Sequence, residues 1–253
     1  MGSPIWTVYV ILLSTQLVLS GVVLLFLFFV SAPYGKHNRK GWGPRIGSRW
    51  AWISMELPAV FVIPAVYIMF TDRIMPVPLV LLFLWETHYL YRTFLYPSFF
   101  RGSKNNFPII LVLFAFLFNV MNGFINGYFI AYSSWESSWL FSGFFITGAA
   151  MYIMGFILHV TSDARIRALR RPDESGYRIP RGGAFRFVSN PNYLGEMVQW
   201  FGWAVITFSL PGLAFALFTT ANLLPRAISN HRWYRRTFDD YPKDRRIIFP
   251  YIF

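Results

Sequence analysis

Residues 5–30 read IWTVYVILLSTQLVLSGVVLLFLFFV, 26 positions without a single charge. About 20 apolar residues suffice to cross the hydrocarbon of a bilayer, so this stretch predicts a transmembrane helix. A cleavable signal peptide would have a basic start and a shorter apolar core, and no Lys or Arg precedes Ile5,. Working outward, further apolar segments lie at roughly 50–70, 76–96, 107–130, 138–161, 192–209 and 212–233, each bounded by turn-forming or charged residues,. The pattern predicts an all-α integral membrane protein of seven transmembrane helices. Ser209, Leu210 and Pro211 alone separate the last two segments, which predicts a tight antiparallel hairpin,. With no internal repeat or long linker, the reading is one membrane domain spanning 1–253.

Composition agrees with a bilayer as solvent. Of the 253 residues 55% are hydrophobic, 21% aromatic and only 13% charged, whereas a soluble domain carries about 25% charge. The absence of cysteine excludes disulfide scaffolds, iron–sulfur clusters, thiolate metal sites and a Cys nucleophile,. His37, His88, His159 and His231 are scattered, so no metal site is expected,. A formal charge of +12 suggests nucleic acid only if the basic residues share a soluble face,. Instead 21 of the 23 Lys and Arg fall on one side if the N-terminus is outside and the C-terminus cytoplasmic,. The charge is chiefly a topological signature, and no nucleic-acid partner is expected.

Ionisable groups inside spans are costly, which makes Glu56, Glu86, Arg92 and Glu196 functional candidates,. Glu56 lies seven residues past Arg49 and Tyr89 eight before Pro97. At 1.5 Å per residue both sit ~10 to 12 Å below the cytoplasmic surface. Glu86, Tyr89, Arg92 and Tyr96 share one helical face by spacing,. A structural reading of the same residues, with Glu56 and Arg92 bridging helices and the tyrosines packing, stays open beside the functional one. Pro58 deprives the Ser54 carbonyl of its helical donor and predicts a kink in span 2. Gly123 and Gly127, a G-x-x-x-G with Asn119, Asn122 and Asn126 nearby, predict close helix packing,.

Three cytoplasmic segments mix bases with acceptors. His159, Asp163, Arg167 and Arg170 align as span 5 leaves the membrane. Asn192 and Glu196 share a face at the head of span 6, where the helix dipole adds positive potential,. Arg226, Asn230, His231 and Tyr234 follow at the end of span 7. A surface that merely obeys the positive-inside rule has no need of Asp163, whereas a nucleotide needs cations for phosphate and acceptors for sugar or amide. The combination predicts an anionic cofactor. Gly41, Gly43 and Gly47 miss the Rossmann spacing by a residue and follow no predicted strand, so no Rossmann domain holds it,.

These motifs resemble the steroid 5α-reductase family, and the likeness covers nearly the whole chain. It rests on H-V-T-S-D from His159, Y-R-I-P-R-G-G from Tyr177, V-S-N-P-N-Y-L-G-E from Val188, D-D-Y-P-K-D-R from Asp239, M-E-L-P from Met55 and H-Y-L-Y-R-T-F-L-Y from His88. The resemblance implies NADPH-dependent reduction of the 4,5 double bond of a 3-oxo steroid within a seven-helix fold. It implies that Glu56 and Tyr89 hydrogen-bond the 3-oxo oxygen of a steroid or sterol-like lipid. It implies NADPH contacts from Arg92, Tyr96, Asp163, Arg170, Tyr177, Asn192, Glu196, Arg226, Asn230 and Tyr234, with His159 standing where the family has Asn. Met55 and Asn230 are two further departures, from Gln and His respectively. Other expectations consistent with the chain are reduction of another enone lipid, a membrane methyltransferase of the isoprenylcysteine carboxyl type, or a seven-helix transporter or receptor. The membrane implied is a bacterial inner membrane or the endoplasmic reticulum.

Overall fold

The computed structural model describes residues 4–100, 106–169 and 176–253. Among these, seven long helices follow in order: α1 (Pro4–Phe29), α2 (Ser48–Phe70), α3 (Pro76–Leu90), α4 (Ile109–Tyr132), α5 (Gly143–Ala168), α6 (Pro191–Thr207) and α7 (Leu210–Thr237). Helix α3 runs on through a π turn, Tyr91–Leu95, into a last turn, Tyr96–Ser98. Two three-residue strands, β1 (Arg45–Gly47) and β2 (Asn106–Pro108), pair antiparallel with Ile46 opposite Phe107. Four helices, α1, α2, α4 and α5, are long and apolar enough to cross a membrane. The chain is an all-α membrane protein.

Close contacts divide the chain into two units, Met1–Gln16 with Ala32–Phe145 and Leu17–Ser31 with Ile146–Phe253. In the first, α2 packs along α4 through the G-x-x-x-G. A Cβ on Gly123 would lie 3.0 Å from Val62 Cβ, and one on Gly127 would lie 2.9 Å from Ile63 O. Small residues there let the two backbones approach, as interhelical packing in a bilayer requires. Polar ties add direction: Gln16 Nε2 donates to Asn122 Oδ1 at 3.0 Å, and Trp85 Nε1 donates to Ala59 O at 2.8 Å. Arg49 donates to the carbonyls of Pro97, Ser98 and Phe100, closing the free end of the α3 extension,.

The second unit is organised by a nearer approach. A Cβ on Gly148 would stand 2.6 Å from Ile206 N, and one on Gly202 would stand 2.5 Å from Tyr152 N. Two turns further on, a Cβ on Gly155 would meet Gly195 O at 2.6 Å, and one on Gly195 would meet His159 N at 2.5 Å. Helices α5 and α6 are therefore antiparallel and touch backbone to backbone through four glycines. Between α6 and α7 the chain turns at Phe208 in the left-handed region (φ 43°), and Ser209 Oγ accepts from Gly212 N at 3.0 Å. This is the hairpin expected from Ser209, Leu210 and Pro211. The last residues return to the head of α6, where Arg246 N donates to Phe187 O at 2.9 Å and Ser189 N to Arg246 O at 2.8 Å.

A methyl at the glycine contact has no room. Gly155→Ala is expected to lower stability by about 1 to 3 kcal/mol, the usual cost of overpacking, read as a lower unfolding temperature in detergent. An unchanged temperature would show that α5 and α6 are not in backbone contact.

Candidate functional site

In the first unit, two ties between antiparallel α2 and α3 bracket Tyr89. On one side Trp85 Nε1 bonds Ala59 O; on the other Arg92 Nη2 lies 3.9 Å from Glu56 Oε1. Tyr89, between residues 85 and 92, falls level with the 56–59 stretch of α2, as the depth reckoning from Arg49 and Pro97 expects. It is buried, and its ring lies 4.8 Å from that of Trp85. Glu56 is half-buried. The guanidinium of Arg92, itself buried, sits 4.6 Å from the Trp52 ring centroid and 4.8 Å from that of Tyr96. Two aromatic faces and one carboxyl group thus hold the cation inside a low-dielectric region,. The π turn contributes: Tyr96 N–H reaches back to Tyr91 O, inserting one extra residue in the turn that carries Arg92,.

Sequence reasoning missed two participants here. Asn119 Nδ2 on α4 donates to Met55 O at 2.7 Å and lies 3.4 Å from Glu56 Oε2, although its spacing beside the G-x-x-x-G pointed only to packing. Trp52 is the second; its Nε1 is buried without a hydrogen-bond partner among the described residues. Glu86 shares the face of Tyr89 by spacing. Its Oε1 is buried with no hydrogen-bond partner among the described residues.

The second unit gathers His159, Asp163, Asn192 and Glu196. The glycine contact presses the end of α5 against the start of α6, and these side chains meet there. Asn192 Nδ2 donates to Asp163 Oδ1 at 3.0 Å. His159 Nε2 lies 3.7 Å from Asp163 Oδ2, and its Nδ1 lies 3.6 Å from Glu196 Oε2 and 3.2 Å from Asn192 O. His159 and Asp163 are buried. The positive end of the α6 dipole favours the Asp163 carboxylate beside it.

Helix α7 adds contacts of its own near the head of α6. Asn230 Nδ2 donates to Asn190 Oδ1 at 2.9 Å, and Asn190 Nδ2 donates to Ala227 O at 3.1 Å. Tyr234 is buried and stacks on Tyr241, with centroids 5.4 Å apart and planes 9° off parallel. Tyr177 is exposed and meets Trp233 edge-on at 5.2 Å. Arg226 is half-buried one turn before Asn230. Arg170 lies outside the described residues.

Two more residues escaped the sequence reading. Ser189 Oγ is 2.6 Å from His231 Nδ1, 2.6 Å from Tyr241 Oη and 3.0 Å from Arg246 O. It binds α7 and the C-terminal segment to the head of α6. Arg245 is buried under Tyr241, its guanidinium 5.0 Å from that ring, and its Nε and Nη1 have no hydrogen-bond partner among the described residues. A buried cation with unspent donors suits an anionic ligand group. Asp163 and Glu196 offer acceptors, which suit hydroxyl and amide groups and repel phosphate. The donor set therefore fits a ligand carrying both kinds of group, with phosphates directed to arginine.

A family model described as 3-oxo-5-alpha-steroid 4-dehydrogenase matches residues 105–253. The chain is 38% identical over 237 residues to the protein named steroid 5-alpha-reductase DET2 of Arabidopsis thaliana, covering 90% of each. It is 39% identical to 3-oxo-5-alpha-steroid 4-dehydrogenase 1 of Rattus norvegicus, covering 91% of this chain and 90% of the relative. It is also 39% identical to 3-oxo-5-alpha-steroid 4-dehydrogenase 2 of Homo sapiens, covering 95% of each.

Ser189→Ala removes one partner from three hydrogen bonds, two of them buried. The expected loss is about 1 to 3 kcal/mol, measured as a drop in unfolding temperature. Wild-type stability would mean that Ser189 does not tie the C-terminal segment to α6.

Proposed function

The chain belongs to the 3-oxo-5-alpha-steroid 4-dehydrogenase family, and on that premise we propose that it reduces the 4,5 double bond of 3-oxo-4-ene steroids, with NADPH as reductant, inside the membrane. The observation that carries the reading is identity of 38–39% over nine-tenths or more of relatives from plants and mammals whose names state this activity. In the proposal the chain crosses the bilayer seven times as one reductase, 1–253, with its N-terminus outside and the cofactor side cytoplasmic. Support for that orientation is the placement of 21 of 23 basic residues: 19 in the segments after the first, third, fifth and seventh spans, with Arg226 and Arg232 in the last two turns of the seventh,.

The roles follow from the chemistry each residue offers. Bound reduced nicotinamide supplies a hydride to the β carbon of the enone. Electron density would then move to the 3-oxo oxygen, where the Tyr89 hydroxyl donates a hydrogen bond, and a proton taken up by the α carbon would restore the carbonyl and complete the reduction. Glu56 is assigned beside Tyr89 as the second donor, a role its carboxyl group fills when it carries a proton. Arg92, 3.9 Å from Glu56, adds positive potential near the same carboxyl group. Fixed donors in a region without water stabilise developing charge far more than they would in solution. Burial of Tyr89 beneath Trp85 keeps its hydroxyl in one orientation.

Cofactor contacts are assigned in the same proposal to Arg92, Tyr96, His159, Asp163, Arg170, Tyr177, Asn192, Glu196, Arg226, Asn230 and Tyr234, to which Arg245 is added. Asp163 and Glu196 accept from sugar hydroxyl or carboxamide groups. Arg226 and Arg245 take phosphate oxygens. A hydrophobic steroid enters from the bilayer, whereas the multiply charged cofactor arrives from water.

Purified protein in detergent is expected to oxidise NADPH only when a 3-oxo-4-ene steroid is present. Consumption of S-adenosylmethionine instead would overturn the reading. Tyr89→Phe should cut kcat by about 10²-fold, as loss of an oxyanion donor does, with NADPH affinity unchanged; wild-type kcat would remove Tyr89 from its role. Arg226→Ala should weaken NADPH binding by roughly ten- to a hundredfold, the worth of a hydrogen bond to a charged group. Unaltered affinity would remove Arg226 from the cofactor site.

A further inference from the structure

A cavity of about 420 Å³ opens at the C-terminal end of α7. Its apolar walls are Ile228, Ile247 and Phe253, and its charged wall is Arg232, Arg235 and Arg236. None of Arg226, Asn230 and Tyr234 lines it. At ~100° per residue these three occupy the other side of the helix. His231 also borders the cavity, but its Nδ1 is held by Ser189.

The three arginines are exposed. None has an ion-pair partner among the described residues. Cations in the last turn of a helix complement its dipole, which accounts for their sign. It does not account for a concave apolar floor beside them. On the seven-span reading, on which this inference rests, Arg232, Arg235 and Arg236 also stand where the apolar run 212–233 ends, the level of lipid head groups. A guanidinium fork matches phosphate oxygens two at a time. An apolar wall matches an acyl chain.

We propose that this cavity binds one anionic phospholipid of the arginine-bearing leaflet, with its phosphate on Arg232, Arg235 and Arg236 and its first acyl carbons against Ile228, Ile247 and Phe253. Basic pockets on the cytoplasmic side of membrane proteins hold anionic head groups in this way. The lipid would fasten the end of α7 to the membrane surface on the side away from Arg226. Nothing in the site depends on the reductase reading.

The test is lipid binding by the full-length protein in vesicles of phosphatidylcholine with and without phosphatidylglycerol, followed by quantifying lipid that stays bound after purification. Saturable retention of phosphatidylglycerol over phosphatidylcholine is expected. The triple variant Arg232→Gln, Arg235→Gln, Arg236→Gln should weaken that retention by tenfold or more, at about 1 kcal/mol per basic residue near a lipid surface. A control variant, Arg39→Gln, Lys40→Gln, Lys243→Gln, removes the same charge from other exposed positions and should retain the lipid. Arg235→Gln alone, checked for an unchanged unfolding temperature, gives a smaller loss in the same direction if the triple variant fails to fold. Equal losses in the control, absence of preference in the wild type, or full displacement by inorganic phosphate would each overturn the proposal.

Discussion

Much of the second unit depends on one contact, the bare backbone of α5 against the bare backbone of α6. Gly148 and Gly155 face Gly202 and Gly195, and a methyl at any of the four would fall within 2.9 Å of a neighbouring atom. In a bilayer no hydrophobic drive brings helices together, so packing and interhelical hydrogen bonds decide how closely they lie. Here the closeness has a chemical consequence. It brings His159 and Asp163 of one helix onto Asn192 and Glu196 of the other, where larger residues would hold the helices apart. Ser189 then fixes the head of α6 from the other direction, through His231, Tyr241 and the Arg246 carbonyl.

The two units carry different chemistry. The first offers donors and a cation at one level: Tyr89, Glu56 and an Arg92 held between Trp52 and Tyr96. The second offers acceptors at the α5–α6 contact and a buried arginine, Arg245, with donors to spare. A carbonyl that gains negative charge suits the first set. A ligand with hydroxyl, amide and phosphate groups suits the second. The proposed reduction needs both.

What the sequence disclosed, it disclosed through period and charge. Long apolar runs mark α1, α2, α4 and α5, and Ser209 with Pro211 marks the turn before α7. The group His159, Asp163, Asn192 and Glu196 was legible because acids are out of place in a basic segment. The π turn at Tyr91–Leu95 was not, since an inserted residue leaves side-chain identities unchanged and alters only which carbonyl each N–H finds. The glycine contact was hidden for another reason: its seven-residue spacing, two turns, is longer than the four-residue pattern that exposed Gly123 and Gly127. Asn119 read as a packing residue because the bond to Met55 O depends on how α4 faces α2. Arg245 sat within a recognised motif, yet only its burial separates it from the exposed Arg246. The strands β1 and β2 are too short to leave an alternating pattern.

The most direct measurement of the central claim is isotope transfer. Purified protein would be given a reduced nicotinamide cofactor with deuterium at the transferable position, together with a 3-oxo-4-ene steroid. The account predicts one deuterium per product molecule, on the ring carbon β to the carbonyl. Product without deuterium, or deuterium on the carbon that bears the oxygen, would contradict it.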